Sequence, residues 1–259
     1  MDKTTQPTIT LHRGWDTPGK YVWSPFVTKV EFRLRTSKTP YRTASGSPGS
    51  SPSGKIPYLE FAAPNQPLRC ITDSALILHD LNSRGSITDV NAKLTPSQKG
   101  QDLAVRALME DKLYFYHTHE RWIKNYYTMR DHALWSIPYP LRVIIGLLAY
   151  RGNVRKLHDQ GTGRFSDIEI RALIKEVWDG IAGMLEESRR KVQRGGCFWI
   201  LGEEEPTEAD ATVFGFVVSV LVCDAGPDSR ELIRKEFEVV VDYAERIHKR
   251  WFPDYEIWE

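Results

Sequence analysis

Cysteine is scarce in this chain: Cys70, Cys197 and Cys223 are the only three among 259 residues. An odd number at wide spacing builds neither a disulfide framework nor a metal-ligand cluster, and it suits a reducing compartment, so the expected location is the cytoplasm. An excess of charge of one sign is missing too. A net charge of +1 leaves no basic stripe for nucleic acid and no acidic face for cations. Apolar runs such as Val143 to Tyr150 are far too short to span a bilayer, and the polar stretch Met1 to Thr10 has no signal core. Among seven histidines, His117 and His119 lie too close together for one helical face, and no acid completes a familiar metal spacing. No metal site is expected. What is present is core-forming material, with 41% hydrophobic residues, enough for one large or two small domains.

Two short segments carry the chemistry, Gly54-Lys55-Ile56-Pro57-Tyr58-Leu59-Glu60 and Ile71-Thr72-Asp73-Ser74-Ala75-Leu76-Ile77. Pro57 closes a loop and opens an alternating strand, which makes it a candidate cis position, although only about 5–6% of X-Pro bonds are cis. That turn presents the Ile56 backbone to an extended peptide, as an edge strand does, with Lys55 beside it as a cation. Asp73 and Ser74 open an apolar helical stretch, where unpaired N–H groups attract a carboxylate. Ser74 can donate and Asp73 can hold an ammonium, which together match a γ-glutamyl group. Either residue alone is read as a simple cap; with Lys55-Ile56-Pro57 upstream, binding is the stronger reading.

The order of elements is a small α/β unit followed by helices. Thr8 to His12, Tyr58 to Phe61 and Leu68 to Ile71 read as strands, and Val22 to Arg35 and Asp73 to Leu81 as helices. Ala44 to Gly54 is too rich in Gly, Ser and Pro to pack and reads as a mobile loop, either a bland insertion or a cover ordered by ligand. From Thr95 onward the pattern is helical. Thr95-Pro96-Ser97-Gln98, Ser166-Asp167-Ile168-Glu169 and Thr207-Glu208-Ala209-Asp210 are capping boxes, the last before Val213 to Val222, the expected buried centre. Asp210 then serves folding by accepting from the Thr207 amide.

The proline-led strand, the Asp73-Ser74 helix start and the capped buried helix resemble the glutathione S-transferase superfamily over nearly the whole chain. Ser51-Pro52-Ser53-Gly54-Lys55-Ile56-Pro57, Gln160 to Ser166 and Leu201 to Asp210 look most like its failed-axon-connections and metaxin-like branch. The resemblance implies an α/β N-terminal thioredoxin-like domain over 1–90 plus an all-α C-terminal domain over 95–259. It implies glutathione as the cofactor or substrate, held by Lys55, Ile56, Pro57, Asp73 and Ser74, and it implies self-association as a homodimer. One departure is instructive. Trp23-Ser24-Pro25-Phe26-Val27 stands where thiol oxidoreductases of this fold place Cys-Pro-x-Cys, so neither the attacking nor the resolving thiol exists and dithiol redox chemistry is excluded.

Ser24 is then either an N-cap before Pro25 or the hydrogen-bond donor to the glutathione sulfur, with Tyr21 or a tyrosine of the helical domain as the substitute donor. An apolar second substrate is expected between Trp15, Tyr21 and Trp23 below and the helix Asp102 to Trp122 above. Tyr116 and His117 are its candidate lining, and His117 or His119 the proton carrier, although an aromatic cluster at helical spacing is more often core. The likeness extends to fungal enzymes of secondary metabolism, some of which isomerise polyenes. The expected function is a transferase or isomerase acting on an electrophilic unsaturated metabolite, with a non-catalytic metaxin-like assembly module as the rival.

Overall fold

The computed structural model describes residues 8–15, 17–63, 67–193 and 195–258. Most of the polar N-terminal stretch read above, residues 1–7, lies outside them. Alternation of Ile9 and Leu11 with Thr8, Thr10 and His12 makes a strand with one buried face, β1 (Thr8–His12). It pairs in parallel with β2 (Arg42–Ala44) and antiparallel with β3 (Tyr58–Ala62), which pairs antiparallel with β4 (Arg69–Thr72). The sheet order is β2-β1-β3-β4. Helices α1 (Pro25–Thr36) and α2 (Ser74–Ser83) meet this sheet through a core that includes Leu11, Val27, Val30, Leu34, Leu59 and Ile77.

The rest of the chain is helical. A nearly unbroken rod runs over 96–124 through α3 (Pro96–Ala107), a π-helical stretch (Leu108–Leu113), α4 (Tyr114–His119) and a second π-helical stretch (Glu120–Lys124). After it come α5 (Tyr126–Ala133), α6 (Tyr139–Gln160), α7 (Asp167–Lys191), α8 (Glu208–Val222), α9 (Pro227–Glu236) and α10 (Glu238–Trp251). Capping boxes start α3 and α7 at Thr95 and Ser166, where the spacing places them. Every residue of α8 from Ala209 to Leu221 is buried, so this helix is the centre of the helical part. Among the described residues, no single helix is long and apolar enough to cross a membrane.

Helix α1 joins the two parts because it is buried on all sides. One face meets the sheet and the other lies against α8, where a side chain at Gly215 would come within 2.3 Å of the Pro25 carbonyl. Only glycine permits that approach, and it fixes the first turn of α1 against the helical core. The C-terminal tail straps the opposite end. Tyr255 donates to Glu31 at 2.7 Å, the Glu256 amide donates to the Gly19 carbonyl at 2.7 Å, and Arg35 forks onto Asp254.

Three differences from the sequence reading have physical causes. The helix expected over Val22 to Arg35 begins at Pro25, because Ser24 is extended (φ −80°, ψ 118°) and takes the N-cap position. Strand β2 was not anticipated: three half-exposed residues carry no alternation. The loop Ala44 to Gly54, expected to be mobile, is a folded series of turns in which the Ser51 amide bonds Ser47 O and the Gly54 amide bonds Ser51 O. Its Ser50 hydroxyl meets the Tyr58 hydroxyl at 3.1 Å, so the loop is tied to β3.

Candidate active site

Strand directions bring the sequence-predicted residues to one end of the sheet. Antiparallel pairing sets Tyr58 beside His12 and Thr72, so residues following β1, preceding β3 and following β4 emerge together. These are Ser24 by way of the β1–α1 connection, Lys55, Ile56 and Pro57, and Asp73 and Ser74. The Ile56–Pro57 bond is cis. Among the described residues, neither backbone group of Ile56 has a hydrogen-bond partner, which leaves both available to an incoming strand.

Asp73 is the N-cap of α2 and holds φ +76°, a region non-glycine residues rarely adopt, at a typical cost of about 1–3 kcal/mol. Its Oδ1 accepts from the Ala75 amide at 3.0 Å and its Oδ2 from Lys55 Nζ at 2.7 Å. Burial pushes the carboxyl up, but the Lys55 and Ala75 bonds outweigh it and leave the group below the ordinary carboxylate range. The Lys55–Asp73 pair is exposed enough to exchange partners at little cost, within about 1 kcal/mol. Ser74 is buried, and its hydroxyl bonds no described residue.

Ser24 is half-buried at the start of α1 and makes no side-chain capping bond. The backbone before it is clamped instead. The Trp23 carbonyl accepts from the Ser219 hydroxyl and from Arg121 Nη1 at 3.2 Å, and Arg121 also bonds Ser219. No acidic residue occupies the first turn of α1, so its free amides and the serine hydroxyl have no anion of their own.

Beside Ser24 the indoles of Trp15 and Trp23 sandwich His132 of α5, at centroid distances of 4.2 and 3.3 Å. Sequence reasoning missed His132, since a lone histidine on a half-apolar helix carries no spacing signal. Burial lowers its pKa from 6.5 to about 4, against a small opposing pull from Asp224, so the ring is neutral at pH 7. Phe26 and Tyr114 pack 5.2 Å apart where α1 meets the 96–124 rod, joining first-turn and rod aromatics.

Three predicted lining residues are elsewhere. Tyr21 is buried, donates or accepts at His248 Nδ1 at 2.9 Å, and packs among Phe214, Phe252 and Tyr255; burial holds its hydroxyl well above the ordinary range. It is a core residue and no substitute thiol donor. Tyr116 is likewise in the helical core, only 6% exposed. His117 lies near Trp178 and Phe216, and burial, then Arg121, drive its pKa well below the ordinary value, so the ring is held neutral. On the 96–124 rod the aromatic run serves packing, as its periodicity favours. His119 lines a separate pocket of about 260 Å³ with Lys124, Asp167 and Asp228, which includes none of the sheet-end residues.

The comparisons with known proteins agree with this architecture. A family model described as glutathione S-transferase N-terminal domain matches residues 25–129, and one described as glutathione S-transferase C-terminal domain matches 196–247. The chain belongs to the glutathione S-transferase superfamily. Solved members share the fold across almost the full length at low identity. A glutathione S-transferase from Pseudomonas fluorescens is 17% identical with a TM-score of 0.55, covering 96% of this chain and 98% of that one. A glutathione transferase from Pseudomonas putida, holding one glutathione disulfide per subunit, is 15% identical at 0.54, with 95% and 88% covered. A maleylacetoacetate isomerase from Anaeromyxobacter dehalogenans, with dicarboxyethyl glutathione and citrate in its active site, is 14% identical at 0.50, with 97% and 92% covered. Within the superfamily, this member has serine and valine at positions 24 and 27, and its three thiols are at β4, near Gly196 and just after α8.

Proposed function

We propose that this protein is a glutathione-dependent enzyme that adds glutathione thiolate to an electrophilic, unsaturated metabolite of polyene type. Residues 1–90 hold the tripeptide and 95–259 the acceptor. The observation that carries this reading is the uncapped Ser24 hydroxyl at the start of an acid-free helix turn, at the same sheet end as Ile56, Asp73 and Ser74. The Ile56 backbone pairs with the cysteinyl backbone of glutathione beside Pro57. The γ-glutamyl ammonium takes Asp73 Oδ2 in place of Lys55 Nζ, and its carboxylate takes the Ser74 hydroxyl and the freed lysine. Ser24 donates to the sulfur. A hydrogen bond to a charged group contributes roughly 1.5–3 kcal/mol, which lowers a thiol pKa near 8.5 by about one to two units.

The thiolate adds to the activated alkene and its electron pair forms the C–S bond while the developing carbanion is stabilised by conjugation. Protonation of that carbanion leaves a thioether conjugate. Rotation about the former double bond and expulsion of thiolate instead return glutathione and a cis/trans isomer. Trp15 and the neutral His132 form the apolar wall for the acceptor, with Trp23, only 9% exposed, stacked on His132. The named isomerase among the structural neighbours supports keeping both fates. Likeness to the failed-axon-connections and metaxin-like branch, and to fungal secondary-metabolism enzymes, rests on the motif segments around Pro57, Gly161 and Asp210.

Calorimetric titration with glutathione tests the site: binding at millimolar concentration or below is expected, and none would remove the enzyme reading in favour of an assembly module. Mass analysis of glutathione incubated with conjugated polyenes then separates adduct formation from mass-neutral isomerisation.

A further inference from the structure

Helix α6 is unlike any other in the molecule. Of its 22 residues only Gly146 and Leu157 are buried, although its first half contains Leu141 and most of the apolar run Val143 to Tyr150. Trp135, Tyr139, Leu141, Ile144, Leu147 and Leu148 are each between 44% and 66% exposed. A contiguous apolar surface of this kind marks a docking site rather than ordinary surface. Helical spacing aligns Leu141, Ile144, Leu148, Arg151 and Arg155 on one stripe, apolar along the first half and basic along the second. Between Tyr126 and His158 the chain has four arginines, one lysine and a single acid, Asp131, which is tied to Arg130 and Arg142. Neither Arg151 nor Arg155 has an acidic partner among the described residues.

Trp135 is held outward by the fold. Arg142 donates from Nη2 to the Trp135 carbonyl at 2.8 Å and from Nε to the Ile137 carbonyl at 3.0 Å, fixing the turn that leads into α6. The two family matches end at residue 129 and resume at 196, so this helix lies outside what they cover.

We propose that α6 and the preceding Trp135–Tyr139 turn dock this protein on an anionic lipid surface, the apolar half entering the acyl boundary and Arg151 and Arg155 meeting headgroup phosphates. A bilayer offers hydrocarbon and anions at adjacent depths, which is the order of the stripe, and indole and phenol rings favour that boundary. A second copy fits poorly. Antiparallel pairing of the stripe sets Leu141 against Arg155 and desolvates an unpaired guanidinium, whereas parallel pairing sets arginine against arginine. The helix lies on the membrane without crossing it, as the charges of Arg142, Arg151, Arg155 and Lys156 require.

The test is co-sedimentation of the full chain with phosphatidylcholine vesicles, with and without phosphatidylserine. Binding is expected only with phosphatidylserine and falls as salt rises. Ile144→Glu with Leu148→Glu abolishes it. Each basic side chain near an anionic leaflet changes binding about fivefold, so Arg151→Gln with Arg155→Gln weakens it roughly 30-fold. All these positions are exposed, and unchanged melting temperatures verify folding. Equal binding to both vesicle types, no binding, or wild-type binding by both variants overturns the proposal. So does a wild-type dimer that Ile144→Glu splits while lipid binding is nil.

Discussion

The starts of α8 and α1 have the same ingredients, a hydroxyl at the N-cap and free amides behind it, yet they are finished differently. At α8 the helix supplies its own anion. Asp210 accepts from the Thr207 amide and hydroxyl at 2.8 and 2.9 Å, from the Ile200 amide at 2.8 Å and from the Tyr243 hydroxyl at 3.0 Å, all in the dry core. Asn91 and Asp102 take the Glu208 and Ala209 amides. At α1, Pro25 follows Ser24, no acid follows in the turn, and the serine makes no capping bond. A helix start that completes itself serves folding; one left open at a half-buried position has capacity for a ligand.

Substitutions at the two starts break the comparison if they behave alike. Asp210→Ala strands buried donors and lowers the unfolding free energy by about 3–5 kcal/mol in urea titration; a loss below about 1 kcal/mol makes the buried cap dispensable. Ser24→Ala leaves stability within about 0.5 kcal/mol, since no capping bond is lost. The same change raises the pKa of bound glutathione, followed by thiolate absorbance, by about one to two units. An unchanged thiol moves the sulfur contact to another group.

Asp73→Asn weakens glutathione binding about tenfold in calorimetry, through loss of a charged partner for the ligand ammonium, with little effect on folding. A pH-dependent effect is expected at the aromatic sandwich. The His132 pKa is about 4 in the folded protein against 6.5 ordinarily, so between those values the unfolded chain binds more protons and stability is lost as pH falls. His132→Phe keeps the stack and flattens that part of the melting-temperature profile. An unaltered profile places the titration elsewhere.

Legibility followed locality. Thr95, Ser166, Thr207 and the Asp73-Ser74 start are recognised within four residues of chain, because a cap is a contact between near neighbours. Ile56-Pro57 was readable for the same reason. Which face of the 96–124 rod looks at a cleft was not: two π-helical stretches shift the periodicity, and Tyr116 and His117 turn into the core. Tyr21 failed as a lining residue because its partner, His248, is 227 positions away, and His132 was invisible because its meaning comes from two distant indoles.

The tail across the first unit also sets an order of events. Glu31 is wholly buried with Arg13 beside it at 3.4 Å, and it accepts from Tyr255, 224 residues later. During synthesis the sheet and α1 leave the ribosome with that carboxylate lacking its distant donor, and with α8 not yet made. The packing of α1 in the unit that holds Ser24, Lys55 and Asp73 is therefore complete only once the segment around Tyr255 has been made.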